Sequence, residues 1–214
     1  MRRRAPAASF QKSVFINCPF DEAYLKLLRP LLFTILRLGF NPRIASESSD
    51  SGQNRIDKIA HLIRNSRYGM HDISRSRAPR AGAISRFNLP FELGLDRGAQ
   101  LFGSTRLRNK RFLMLETRRY TYHRALSDLS GVDIKPHGDN PAQMVRAIRD
   151  WFVETVRRRS VPSASQRWYE FTDFASEFYD ERKAAGFRNK DLSFMPTPEY
   201  IHAIRRWLVK KGLR

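Results

Sequence analysis

Apolar positions along the chain alternate between two rhythms. Val14, Phe15 and Ile16 form a continuous apolar run after Ser13, as in a strand buried on both faces of a parallel sheet. From Glu22 to Leu38 the rhythm becomes helical, with Tyr24, Leu27, Leu28, Leu31, Leu32, Ile35 and Leu36 on one side. Asp21 is a suitable N-cap for that segment and Gly39 a C-cap, while Pro30 should kink or split it. The same exchange then repeats. Residues 40–46, 68–74, 111–116 and 132–134 read as strands, and 53–67, 87–102, 122–129 and 141–157 as helices. Residues 1–12 are poor in apolar side chains and read as a mobile basic arm.

Five strand–helix units over residues 13–158 predict an α/β domain: an open parallel five-stranded sheet with helices on both faces, in a flavodoxin-like layout. Beyond the linker around Arg157–Ser165 the pattern is helical only. Trp168, Phe171, Phe174, Ala175 and Phe178 make one aromatic stripe, and Tyr200, Ile204, Trp207 and Leu208 a second. Such stripes are more often core than base-stacking surface. Residues 159–214 are expected to be a helical C-terminal extension, too small to stand alone, that packs on the sheet domain or pairs between subunits.

Composition narrows the class. With 41% hydrophobic and 12% aromatic residues in 214, the chain can build a core, which excludes whole-chain disorder. The single cysteine, Cys18, excludes a disulfide framework and reads as a buried filler. The absence of any apolar run of about 18 residues, and of an apolar stretch behind the basic start, leads to the expectation of a cytoplasmic protein with no membrane partner. His61, His71, His123, His137 and His202 show no metal-ligand spacing, so no metal is expected.

The net charge is +19, with 31 arginines against 9 lysines. A nucleic-acid partner is possible but not favoured. The basic residues are spread over Arg2–Arg4, 75–80, 106–119, 157–159 and 205–214, whereas a DNA-reading helix would concentrate them on one face. Acidic or phosphorylated small molecules fit the charge better.

In an open parallel sheet, ligands bind beyond the carboxyl ends of the strands. Polar residues gather there: Asn17 to Asp21, Ser46 to Gly52, and Asp72 to Arg75. Caps and turns use the same residue types, so that clustering alone does not decide. The most informative stretch is Arg86-Phe-Asn-Leu-Pro-Phe-Glu-Leu-Gly-Leu-Asp-Arg-Gly-Ala. Helical spacing directs Phe91, Leu95 and Ala99 to the sheet, and Glu92 to the side where the strand ends open. Gly94 and Gly98 clear a second stripe. Glu92 reads equally as a site carboxylate or as a complement to the helix dipole.

Phe91-Glu-Leu-Gly, in the helix after the third strand, resembles the Phe-Glu-(Ile/Leu)-Gly signature of nucleoside 2-deoxyribosyltransferases. Val14-Phe-Ile-Asn-Cys-Pro-Phe-Asp and the strand order resemble Toll/interleukin-1 receptor (TIR) domains, particularly bacterial TIR-like proteins. The resemblance spans about residues 13–158. It implies cleavage of an N-glycosidic bond, with Glu92 as the catalytic carboxylate and NAD as the most plausible substrate rather than a cofactor. It also implies a bacterial defence or stress-response role, with the C-terminal helices mediating homo-oligomerisation or regulation. Around Glu92, Asn17, Asp21 and Asp72 would hold ribose hydroxyls or the base. Arg43, Arg55 and Arg75 would meet phosphate, the Asp50-Ser51-Gly52 loop would offer it backbone N–H groups, and Asn88 stands in the same stretch. The alternative is a non-catalytic nucleotide-binding or protein-interaction module, with Glu92 a cap and the loop 75–86 carrying recognition.

Overall fold

The computed structural model describes residues 7–75, 86–124, 126–157 and 160–213. Five strands form one parallel sheet: β1 (Ser13–Asn17), β2 (Asn41–Ile44), β3 (Tyr68–Asp72), β4 (Arg111–Glu116) and β5 (Ile134–Pro136). Their order is β2-β1-β3-β4-β5, the flavodoxin-like order. All five residues of β1 are buried, as its apolar run Val14–Ile16 predicts for a central parallel strand, and so are all five of β3, His71 and Asp72 included. The last strand lies two residues later than expected. Val132 is taken up in the preceding turn, where its carbonyl accepts from the Tyr122 hydroxyl at 3.3 Å.

The helices are α1 (Ala7–Lys12), α2 (Leu25–Arg37), α3 (Arg55–Arg64), α4 (Asn88–Phe102), α5 (Thr105–Arg108), α6 (Pro141–Glu154), α7 (Ala164–Ala184), α8 (Asn189–Ser193) and α9 (Thr197–Lys210). Three corrections follow. Residues 7–12 are not a mobile arm: they form α1, whose Phe10 is 1% exposed and whose chain is tied down by the Arg67 N–H donating to the Phe10 carbonyl. Residues 1–6 lie outside the described residues. Pro30 does not split α2, which runs unbroken from Leu25 to Arg37 behind a 3-10 turn at Glu22–Tyr24. The helix forgoes one backbone hydrogen bond at Pro30 and buries Leu27, Leu28, Leu31, Leu32, Phe33, Ile35 and Leu36. The expected helix over 122–129 is two 3-10 turns, Thr121–Arg124 and Ser127–Leu129.

The chain divides into two compact units. The first runs up to Pro19 and resumes over Asn41–Gly138, holding the whole sheet. Within it, Ile59, Leu62 and Ile63 of α3 pack with Phe15, and Leu93 of α4 packs with Ile73, Met114, Tyr122 and Ile134. The second unit comprises Phe20–Phe40 and Asp139–Arg214 and is helical. It brings α2 and α6 together with α7–α9. Its centre is aromatic: the Phe33 ring of α2 lies 5.7, 5.5 and 5.8 Å from Phe171, Phe174 and Trp207. The Arg37–Glu170 ion pair at 3.0 Å and the Phe40–Phe152 ring pair at 4.4 Å complete it. The aromatic stripe of α7 is therefore core. Among the described residues, no helix is long and apolar enough to cross a membrane.

Candidate functional site

The direction of strand addition reverses between β1 and β3, which makes their carboxyl ends the topological switch point of the sheet. Asn17 and His71 face each other there in register. Both side chains are fully buried and point to the same face, because positions 15 and 17 pair with 69 and 71. Asn17 Nδ2 lies 3.1 Å from His71 Nδ1 and donates to the Leu89 carbonyl, at 2.8 Å, in the first turn of α4. His71 Nδ1 is thus the acceptor and the ring proton sits on Nε2, 3.0 Å from Asp96 Oδ2. Asp96 Oδ1 in turn lies 3.0 Å from the Lys110 ammonium, which also donates to the carbonyls of Ile63 (3.0 Å) and Ser66. A buried polar line therefore runs from Asn17 through His71 and Asp96 to Lys110. The Asn17 Oδ1 atom is buried and has no hydrogen-bond partner among the described residues.

Glu92 stands one turn after Leu89 and one turn before Asp96, on the buried stripe of α4 formed by Leu89, Glu92, Leu93 and Asp96. It is 4% exposed. Its carboxylate Oε1 is 3.6 Å from Nη2 of Arg55, the first residue of α3, whose side chain is 60% exposed. Burial pushes the Glu92 carboxyl above the usual carboxylate range, and the Arg55 charge pulls it part of the way back. The first turn of α4 carries no acidic residue. Glu92 opens the second turn, where the helix dipole has little hold on a carboxylate.

One correction concerns the face of α4. Leu95 and Ala99 are half-buried against the cluster of Phe15, Ala45 and α3, but Phe91 is 57% exposed, and the deepest stripe is the one containing two carboxylates. These polar side chains can face inward because His71, Lys110 and Arg55 are placed to meet them. The stripe carrying Phe91, Gly94 and Gly98 instead lines an open apolar groove of about 560 Å³ with Ala60 and Ile63 of α3.

A second polar cluster occupies the carboxyl ends of β3 and β5. Asp72, one residue beyond His71 and so on the opposite side of the sheet, accepts from the Ser74 backbone N–H at 2.9 Å and from the Ser74 hydroxyl. His137 Nε2 lies 3.1 Å from Asp72 Oδ2 and 2.9 Å from Ser74 Oγ. Because carboxylate and hydroxyl share the same ring nitrogen, this is no charge-relay arrangement, in which they meet opposite nitrogens. Glu116, ending β4, accepts from the Thr121 N–H at 3.1 Å and from its hydroxyl.

The fold therefore pairs Arg55 with Glu92 and ties Asn17 to Leu89, one helical turn before Glu92, and the Asp50-Ser51-Gly52 turn leads into α3 just ahead of Arg55. In that turn the Asp50 carboxylate accepts from the Gly52 N–H at 2.9 Å. Arg43 is engaged elsewhere, reaching Glu47 through both Nε and Nη2. Asp21 caps the 3-10 turn of the helical unit by accepting from the Tyr24 N–H at 3.1 Å. Asp72 is held by Ser74 and His137. Asn88 is exposed at the start of α4 and Arg75 half-buried after Ser74, while the rest of the arginine-rich loop, 76–85, lies outside the described residues. Cys18 is buried. His71, Asp96 and Lys110 were not anticipated; the 89-92-93-96 spacing was the available signal, masked by its two acidic members.

Gly69 tests how tightly the polar line is built. A Cβ there would stand 2.4 Å from Asp96 Oδ2, 2.8 Å from His71 Nε2 and 2.8 Å from Phe112 Cδ1. Gly69→Ala is expected to cost about 1–3 kcal/mol, read as a lower urea midpoint with unchanged slope. Comparison of the chain with protein-family models, with curated proteins and with solved structures finds no match.

Proposed function

We propose that the protein is a nucleotide N-glycosidase, with NAD as the foremost substrate and Glu92 as its catalytic carboxylate. The observation that carries this reading is a buried, charge-destabilised carboxylate beside the switch point of a flavodoxin-like sheet, next to a mostly exposed arginine. The resemblance of Phe91-Glu-Leu-Gly to the deoxyribosyltransferase signature supports it. Breaking a ribose–base bond builds positive charge on the sugar, and an anion held away from water stabilises or captures that charge far better than a solvated one. Arg55 would meet the substrate phosphate while keeping Glu92 ionised. The buried Oδ1 of Asn17, without a hydrogen-bond partner among the described residues, would accept from a sugar hydroxyl.

The test is release of free base from NAD and from a panel of nucleotides, resolved by chromatography. The pH profile adds a specific expectation. Because the reaction needs the ionised carboxylate, kcat/KM should fall on the acid side with an apparent pKa above the usual carboxylate value. Arg55→Gln removes the charge that lowers it, so that limb should move to higher pH. An unmoved limb would show that Glu92 does not set the profile.

A second reading, a non-catalytic interaction module, draws on the open apolar groove between α3 and α4. Failure of every nucleotide to release base would favour it.

A further inference from the structure

The edge of the sheet opposite Glu92, where the strands begin, is strongly basic. Lys12 ends α1, Arg64 ends α3, Arg67 precedes β3, Arg106 and Arg108 lie in α5, and Arg111 opens β4. Hydrogen bonds and ring contacts tie these positions into one surface. Arg106 donates to the Arg64 carbonyl at 2.7 Å and lies over the Phe10 ring at 4.3 Å. The Arg67 N–H donates to the Phe10 carbonyl, the Arg111 N–H to the Arg67 carbonyl, and Arg108 Nε to the Gly103 carbonyl. Among the described residues none of the six cations forms an ion pair: Arg64, Arg67, Arg106 and Arg108 meet carbonyls, aromatic rings and the Gln11 amide. Elsewhere the chain does pair its cations, as in Arg43–Glu47 and Arg37–Glu170.

Beside this row stands Phe102, the last residue of α4, 86% exposed. Its ring leaves a large apolar face open to solvent. Cations that follow a phosphate backbone, with an open aromatic face beside them, are the elements by which proteins hold single-stranded nucleic acid. We propose that this amino edge binds a single-stranded polynucleotide, the arginines meeting its phosphates and Phe102 stacking on a base. This surface is separate from the Glu92 site and does not depend on the glycosidase reading. A duplex has no splayed base to offer Phe102, so the single strand is the preferred partner.

The test is fluorescence anisotropy of the full chain with a labelled single-stranded 20-mer and with a duplex of the same sequence, over a range of salt. Phe102→Ala should weaken single-strand binding by about five- to a hundredfold, leaving the salt slope and the duplex affinity unchanged; Phe102→Trp should retain binding. The triple variant Lys12→Glu, Arg108→Glu and Arg111→Glu should weaken binding at least about tenfold and flatten the salt slope by about two, the loss expected for three single-strand phosphate contacts. The control triple Arg118→Glu, Arg119→Glu and Lys190→Glu makes the same change in net charge at other exposed positions. It should leave binding nearly intact. Equal losses in the two triples would reduce the effect to overall charge and overturn the proposal. So would an affinity indifferent to Phe102, or binding of an acidic polypeptide in preference to the oligonucleotide.

Discussion

Lys110→Met is expected to lower the unfolding free energy by about 3–5 kcal/mol, measured by urea unfolding at neutral pH. The Lys110 side chain is fully buried, and its ammonium faces Asp96 Oδ1 at 3.0 Å. Burial pushes the ammonium below the usual lysine range, and Asp96 opposes that shift. Removing the cation leaves a carboxylate inside the protein with only the His71 N–H to meet it, and takes from the Ile63 and Ser66 carbonyls the ammonium that donates to both. Asp96→Leu should cost a similar amount for the complementary reason. The double variant should cost clearly less than the two single losses together, because it removes the uncompensated charge that dominates each. Strict additivity would mean that the two side chains do not compensate one another.

Glu92→Gln and Glu92→Ala should each lower base release by at least about a hundredfold, the scale of losing a group aimed at transition-state charge. Stability should move the other way in the glutamine variant. A carboxyl whose pKa is raised on folding contributes stability that is fully present below its unfolded pKa, about 4.3, and is lost as pH rises through the higher folded value. At neutral pH the buried charge is therefore a cost, and Arg55, mostly exposed, returns little of it. Glu92→Gln should melt at a higher temperature than the parent at pH 7.5, with the gain shrinking toward pH 4. A carboxylate that merely complemented the helix dipole would give the opposite sign, a loss of about 0.3–1 kcal/mol at neutral pH.

The sheet was legible because a parallel strand buried on both faces leaves a compact apolar mark. Val14–Ile16 and Phe112–Leu115 carry it in their own sequence. Asn17 stood out as the polar residue that ends such a run, and Glu92 as the carboxylate of Phe91-Glu-Leu-Gly. The polar line beneath them was not. His71 meets a partner 25 residues away and Lys110 one 47 residues away, and nothing local announces either pairing. His71 and Gly69 instead read as weaknesses in a strand. Gly69 is small because Asp96 and His71 occupy the space its side chain would need. The division into units was hidden for the same reason. Whether Phe33 belongs with the sheet or with Phe171, Phe174 and Trp207 depends on contacts that span most of the chain.

The central claim is that Glu92 cleaves a ribose–base bond, and the most direct measurement is nicotinamide release from NAD by the purified full chain. Parent, Glu92→Gln and Glu92→Ala are compared at matched, high protein concentration, each checked for an intact melting transition. The account predicts time-dependent nicotinamide release by the parent and its loss in both folded variants. Release that continues undiminished in the folded Glu92 variants would contradict it.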